Sequence, residues 1–109
     1  MKEIKAFIHR NRVADIVHAL RNAGYCGGTC NLSVVDVTGT LQAIDSQEQS
    51  FSLELGQEVI NEVKLELVCE DDRADGAVRI IRENGRTGQK IAGWVYVIEI
   101  DAAYPIDTN

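Results

Sequence analysis

Two short segments of this sequence carry the residue types that can cradle an anionic ligand. Gly27, Gly28 and Thr29 stand in one, and Arg86, Thr87, Gly88, Gln89, Lys90 and Gly93 in the other. Glycine lets a main chain approach phosphate oxygens closely, and a neighbouring Lys or Arg supplies the countercharge. Turns use glycine for conformational reasons too, so composition alone leaves both uses open. The first segment is framed by Cys26 and Cys30, in the run CGGTC. Two thiolates at that spacing could start a soft-metal or redox site with His9 or His18 as a further ligand, yet closed zinc sites take four ligands and no second pair is visible. The plainer use is a glycine turn flanked by small, partly buried thiols. His9 follows a strand pattern and His18 falls in a helical stripe, neither with a sequence-local partner, so no catalytic constellation is apparent and no enzyme activity is expected. Glu70, Asp71, Asp72 and Asp75 cluster where a helix should begin, which favours capping and dipole compensation over a metal site.

The elements that must position these residues follow from a repeat. Ile4, Ala6 and Ile8 reappear, displaced by 61 positions, as Leu65, Leu67 and Cys69; the stripe Val13, Ile16, Val17, Leu20 reappears as Ala74, Ala77, Val78, Ile81, and Gly24 as Gly85. Period-two alternation makes a half-buried strand, and apolar residues at i, i+3, i+4, i+7 make one face of an amphipathic helix. Each half ends in a further strand, Leu32 to Val37 and Trp94 to Asp101, rich in β-branched and aromatic residues. Right-handed crossovers then predict an α+β, ferredoxin-like βαββαβ domain: a four-stranded antiparallel sheet, two helices on one face, and a long loop between strands 2 and 3. Asn11 is expected to cap the first helix and Asp71 or Asp72 the second, with Gly24 and Gly85 as left-handed stops.

Composition narrows the class. With 109 residues, a 45% hydrophobic fraction and no apolar run of bilayer length, a single soluble domain over 1–109 is expected, cytoplasmic and not membrane-embedded. The three cysteines, Cys26, Cys30 and Cys69, are an odd number and are read as thiols. A net charge of -6 argues against nonspecific nucleic-acid binding. Between Arg21 and Lys64 no Lys or Arg occurs, while Asp36, Asp45, Glu48, Glu54, Glu58 and Glu62 fall inside the gap. The stretch from Thr38 to about residue 58 is polar and aperiodic, and a connection this long is usually functional or mobile. Having little apolar surface to offset its ordering entropy, it is expected to be partly disordered. Phe51, Leu53 and Leu55 there could form a short strand, a partner-binding strip, or the inner face of a hairpin extension.

The opening MKEIKAFI, the long loop before VKLELVCEDD, the IIR of the second helix, and RTG followed by GWVYVIEI together resemble the P-II family of nitrogen-regulatory signalling proteins, over nearly the whole chain. The resemblance implies a homotrimer with adenine nucleotide (ADP, AMP or ATP) in clefts between subunits and no tightly bound cofactor. It also implies a mobile T-loop, here about 38–58, that docks on a transporter, an enzyme or a regulator; residues from about 102 to 109 form a tail. Carried over by position, the nucleotide site comprises Thr29, Gly39, Lys64, Glu66, Thr87, Gly88, Gln89, Lys90 and Gly93. The family's phosphate loop reads roughly TGxxGDGKI. Thr87, Gly88 and Gly93 fit it; the central glycine, the aspartate and the final lysine have no counterpart, and Lys90 would serve the phosphates from an earlier position. The lysine that ends the family's T-loop falls at Glu62, which reverses its charge. The arginines after the last strand and the loop tyrosine used for uridylylation are absent from AAYPIDTN and from Thr38 to Gly56. The pattern implies a divergent P-II-like sensor whose second effector, if any, is open. A metal- or redox-responsive module of the same fold, using Cys26 and Cys30 as in the divalent-cation tolerance proteins, is the alternative. Phe7, Val35, Val37, Val95 and Val97 are expected on the sheet face away from the helices, as the apolar surface of the trimer.

Overall fold

The computed structural model describes residues 1–25 and 31–107. Strand β1 (Lys2–Ile8) leads through a single helical turn at Arg10–Arg12 into helix α1 (Val13–Asn22). Strand β2 (Leu32–Gly39) is followed by a turn at Ser46–Glu48, strand β3 (Gln49–Ser52) and strand β4 (Gln57–Cys69). A turn at Asp71–Arg73, helix α2 (Ala74–Asn84) and strand β5 (Trp94–Glu99) complete the order. The main sheet runs β2-β4-β1-β5, antiparallel throughout, with both helices on one face. This is the expected ferredoxin-like arrangement with one strand more than anticipated, since β3 pairs with the extended start of β4.

Alternation in β1 and β4 decides what is buried. Ile4, Ala6 and Ile8 lie beside Leu67, Leu65 and Val63, and these side chains close against Ile16 and Leu20 of α1 and Ala74, Ala77 and Ile81 of α2. Burial of that apolar surface is the main favourable term. Tyr25 ties the helix ends together. Its hydroxyl donates to the Arg73 carbonyl at 2.8 Å, its ring lies 4.0 Å from the Arg73 guanidinium, and that guanidinium donates to the carbonyls of Ala23 and Gly24.

Several expectations are corrected. Asn11 sits inside the turn before α1, and Asp71 and Asp72 inside the turn before α2, so none caps a helix by its side chain; Asp71 instead pairs with the Met1 amino group at 2.8 Å. Gly24 is left-handed as expected, whereas Gly85 has φ of -90°. A Cβ on Gly85 would stand 2.8 Å from the Ile81 carbonyl oxygen, so close approach and not handedness calls for glycine there. Val95 and Val97 pair with Ala6 and Ile4 and therefore share the helix-side face; Trp94, Tyr96 and Ile98, opposite Phe7, Lys5 and Glu3, occupy the open face instead. Phe7, Val35 and Val37 are on the open face as expected, in register with Lys64, Lys64 and Glu62.

The loop is shorter than expected at both ends and carries structure of its own. Residues 38 and 39 belong to β2, and 57 and 58 to β4. Its order comes from polar groups: β3 shares a ladder with β4, and the Asp45 carboxylate accepts the N–H groups of Gln47 and Glu48 at 2.9 and 3.2 Å. Phe51 lies in β3, and Leu53, 90% exposed, and Leu55 project from the turn beyond it.

Candidate functional site

Gly39 and Gln49 both stand opposite Ile60, so β2 and β3 flank β4 from its two sides. The chain between them must cross the end of the sheet, next to the loop that joins α2 to β5. That crossing brings the base of one loop against the other.

The 86–93 loop is built by short-range bonds. The Thr87 hydroxyl donates to Gln89 Oε1 at 2.6 Å and accepts the Gln89 N–H at 3.3 Å. Gly88 has φ of +88° with open space around it, so handedness is what excludes other residues. Gly93 is required for a different reason, because a Cβ there would overlap the backbone carbonyl of Phe7. Gln89 reaches outward, its Nε2 donating to the carbonyls of Gln42 at 2.9 Å and Ala43 at 3.2 Å. Lys90 and Arg86 are exposed.

Two clefts adjoin this loop. One, of about 840 Å³, lies between α2 and the loop, with Val78 and Ile81 on its apolar side and Arg79, Arg82, Arg86 and Lys90 around it. Among the described residues none of these four cations makes an ion pair. The other, of about 390 Å³, is bounded by Phe7, Trp94 and Tyr96, by Leu41 and Gln42 of the long loop, and by Glu62. Trp94 and Tyr96 stack with centroids 6.5 Å apart, and Phe7 meets Tyr96 edge-on at 6.1 Å.

At the loop base, Gly39 is needed because a Cβ would overlap the Glu62 carboxyl carbon. That carboxylate accepts the Leu41 N–H at 3.1 Å. Burial is the largest influence on it and pushes its pKa up from 4.5; Glu48 adds to the rise, while the Leu41 N–H and His9 oppose it. His9 is 1% exposed, with Nδ1 3.0 Å from Glu48 Oε2. Farther along β4, Lys64 pairs with Glu66 at 3.2 Å on the open face. Both are partly exposed, so the pair contributes under about 1 kcal/mol to stability.

Of the residues proposed from sequence, Thr87, Gly88, Gln89, Lys90 and Gly93 form one loop, and Gln89 joins it to the segment following Gly39. Lys64 and Glu66 lie on the open face, with Lys64 in register with Phe7 of the smaller cleft. Thr29, Cys26 and Cys30 fall outside the described residues. Among the described residues no three His, Cys, Asp or Glu side chains are grouped to hold a metal ion. No described helix is long and apolar enough to cross a membrane. Sequence reasoning missed the roles of His9, Glu48 and Gln42. The one signal pointing to this corner was Glu62, an acid where the resembled family has a lysine.

The family model described as nitrogen regulatory protein P-II matches residues 1–109. The chain is 26% identical to a nitrogen regulatory protein P-II of Porphyra purpurea over 109 residues, covering all of this chain and 94% of the relative. It is 29% identical to nitrogen regulatory protein P-II 1 of Methanothermobacter thermautotrophicus over 100 residues, covering 92% of this chain and 84% of the other. It is 30% identical to the nitrogen fixation nifHD region GlnB-like protein 1 of Methanothermococcus thermolithotrophicus over 112 residues, covering all of this chain and 96% of that one.

Proposed function

The chain belongs to the P-II family of nitrogen regulatory proteins, which signal and are not enzymes, and from that premise we propose that it is a cytoplasmic nucleotide sensor acting as a homotrimer. In this reading the 1–109 chain works as one domain whose loop, 40–56, is the moving element. An adenine nucleotide occupies a cleft between subunits, its phosphates on the Thr87–Gly93 loop with Lys90 as countercharge. Lys64 and Glu66 serve the base side together with Thr29. The long loop reports the ligand to a target protein, a transporter, an enzyme or a regulator.

The observation that carries this reading is the Gln89 bridge to Gln42 and Ala43. A group that touches phosphates arriving at the 86–93 loop would have to leave the carbonyls of the long loop, so ligand and loop compete for one side chain. A signal needs such a difference in ligand affinity between two loop arrangements. The ligand class follows from charge: no Lys or Arg stands between Arg21 and Lys64 to meet a terminal phosphate, and Glu62 puts a carboxylate at the loop base, so AMP and ADP bind at least as well as ATP. Oligomerisation follows from the open face, where Trp94, Tyr96 and Val35 are about half exposed and would be covered by neighbouring sheets. Native mass spectrometry with and without ADP tests the reading. A trimer carrying up to one nucleotide per subunit supports it; a monomer that takes up no nucleotide refutes it.

A further inference from the structure

We propose that His9, Glu48 and Glu62 form a proton-operated latch that holds the 40–48 segment against the sheet, shut when the cluster carries an extra proton and loosened when that proton leaves. β1 ends at Ile8, opposite Val63, and β3 begins at Gln49, opposite Ile60. Because β2 occupies the other side of β4, the two strands run end to end along one edge of it. His9 follows the first strand and Glu48 precedes the second, and they meet in the gap, Nδ1 to Oε2, at 3.0 Å. The other Glu48 oxygen accepts the Ile44 N–H at 2.7 Å. Continuing the β1–β4 register by one residue sets His9 opposite Glu62, whose Oε2 holds the Leu41 N–H. Two carboxylates therefore clamp two amides of the segment, and a single imidazole bonds one of them, Glu48, and acts on the other, Glu62, through charge alone.

The cluster is poor in positive charge. Glu62 is 5% exposed, and the buried His9 Nε2 has no hydrogen-bond partner among the described residues. The charged groups flanking it are committed elsewhere: Arg10 to Asp36, Lys64 to Glu66, and Asp45 to the backbone of its own turn. A proton taken up from solvent by a carboxylate removes the repulsion between Glu48 and Glu62, and one taken up by the imidazole offsets it by attracting both. When the segment lifts, the carboxylates return to water and no longer need that proton. The shut state thus binds more protons than the open one, and shutting weakens as pH rises. The Glu62 contribution begins to fall above its ordinary 4.5, consistent with its raised value.

Hydrogen exchange of the full-length protein at pH 5 and pH 8, each rate divided by the intrinsic amide rate at that pH, reads the latch directly and does not involve nucleotide. Protection of the Leu41 and Ile44 amides should fall severalfold between the two, while β1 amides keep theirs. Glu62→Gln should retain most of its protection at pH 8, and His9→Gln should give low protection at both pH values. Wild-type protection that does not change with pH, or a His9→Gln profile superimposable on wild type, overturns the proposal. If His9→Gln does not fold, a Glu62→Gln profile with the full wild-type pH dependence overturns it equally.

Discussion

Replacing Gln89 by Ala should free the base of the long loop while leaving the core intact. The substitution removes two bonds from Nε2 to the Gln42 and Ala43 carbonyls and one from the Thr87 hydroxyl to Oε1. Only the first two hold the loop. At about 0.5–1.5 kcal/mol net for each neutral bond, with the Gln42 bond exposed to competing water, their loss costs the closed arrangement about 1–2 kcal/mol. Opening should then become roughly 5 to 30 times more frequent, by the usual conversion of free energy to an equilibrium ratio. Hydrogen exchange resolved by residue provides the assay: amides from 41 to 48 exchange faster, and those of β1 and of Leu65 and Leu67 in β4 stay as they were. A second arm adds ADP. In the wild-type protein the nucleotide should draw Gln89 away from the carbonyls and raise exchange in the same segment; in Gln89→Ala it would have nothing left to release. Unchanged exchange in the variant, or an undiminished response to ADP, would refute the idea that Gln89 joins ligand to loop.

Other substitutions isolate neighbouring parts. Gly39→Ala should cost about 1–3 kcal/mol, because the added methyl drives the Glu62 carboxylate off the Leu41 amide; a double-mutant cycle with Glu62→Ala by urea denaturation should be sub-additive, and strict additivity would contradict the overlap. Gly93→Ala meets the backbone of Phe7, which cannot move aside as a side chain can, and should lower stability by about 1–3 kcal/mol or more; an unaltered unfolding midpoint would show that the loop has room. Tyr96→Glu sets a charge in the stacked aromatic patch of the open face and should dissociate the proposed trimer in sedimentation experiments, whereas a trimer of unchanged stability would move the subunit interface elsewhere.

The doubled strand-helix pattern was readable because each repeat is local: alternation at Ile4, Ala6 and Ile8 and the stripe through Ile16 and Leu20 state their burial without help from distant residues. β3 carries no such mark. Gln49-Ser50-Phe51-Ser52 has one large apolar residue, and what makes it a strand is the free edge of β4 beyond the end of β1. The faces of Val95 and Val97 were inverted for a related reason, since alternation gives two sets of positions and only the pairing of Trp94 with Phe7 says which set faces the helices. Within the site, the glycines and threonine of the 86–93 loop announced themselves by type. His9, Glu48 and Glu62 could not, because charged groups far apart in sequence show no period and meet only when the chain crosses the end of the sheet. Glu62 was visible as a reversed charge, without its burial or its hold on Leu41. Gly93, read as a glycine for ligand approach, and Gly39, carried over by position from the resemblance, are each needed already by packing against Phe7 and Glu62 respectively.

Calorimetric titration of AMP, ADP and ATP into the wild-type protein and into Lys90→Ala tests the nucleotide site most directly. Binding should be saturable, ATP should have no advantage over ADP or AMP, and the exposed Lys90 should contribute a charge-assisted bond to phosphate, so that its loss weakens binding by about 1–3 kcal/mol while the proposed trimer persists. Absence of heat with all three nucleotides, or equal affinity in the variant and the wild-type protein, would contradict a phosphate site on the Thr87–Gly93 loop.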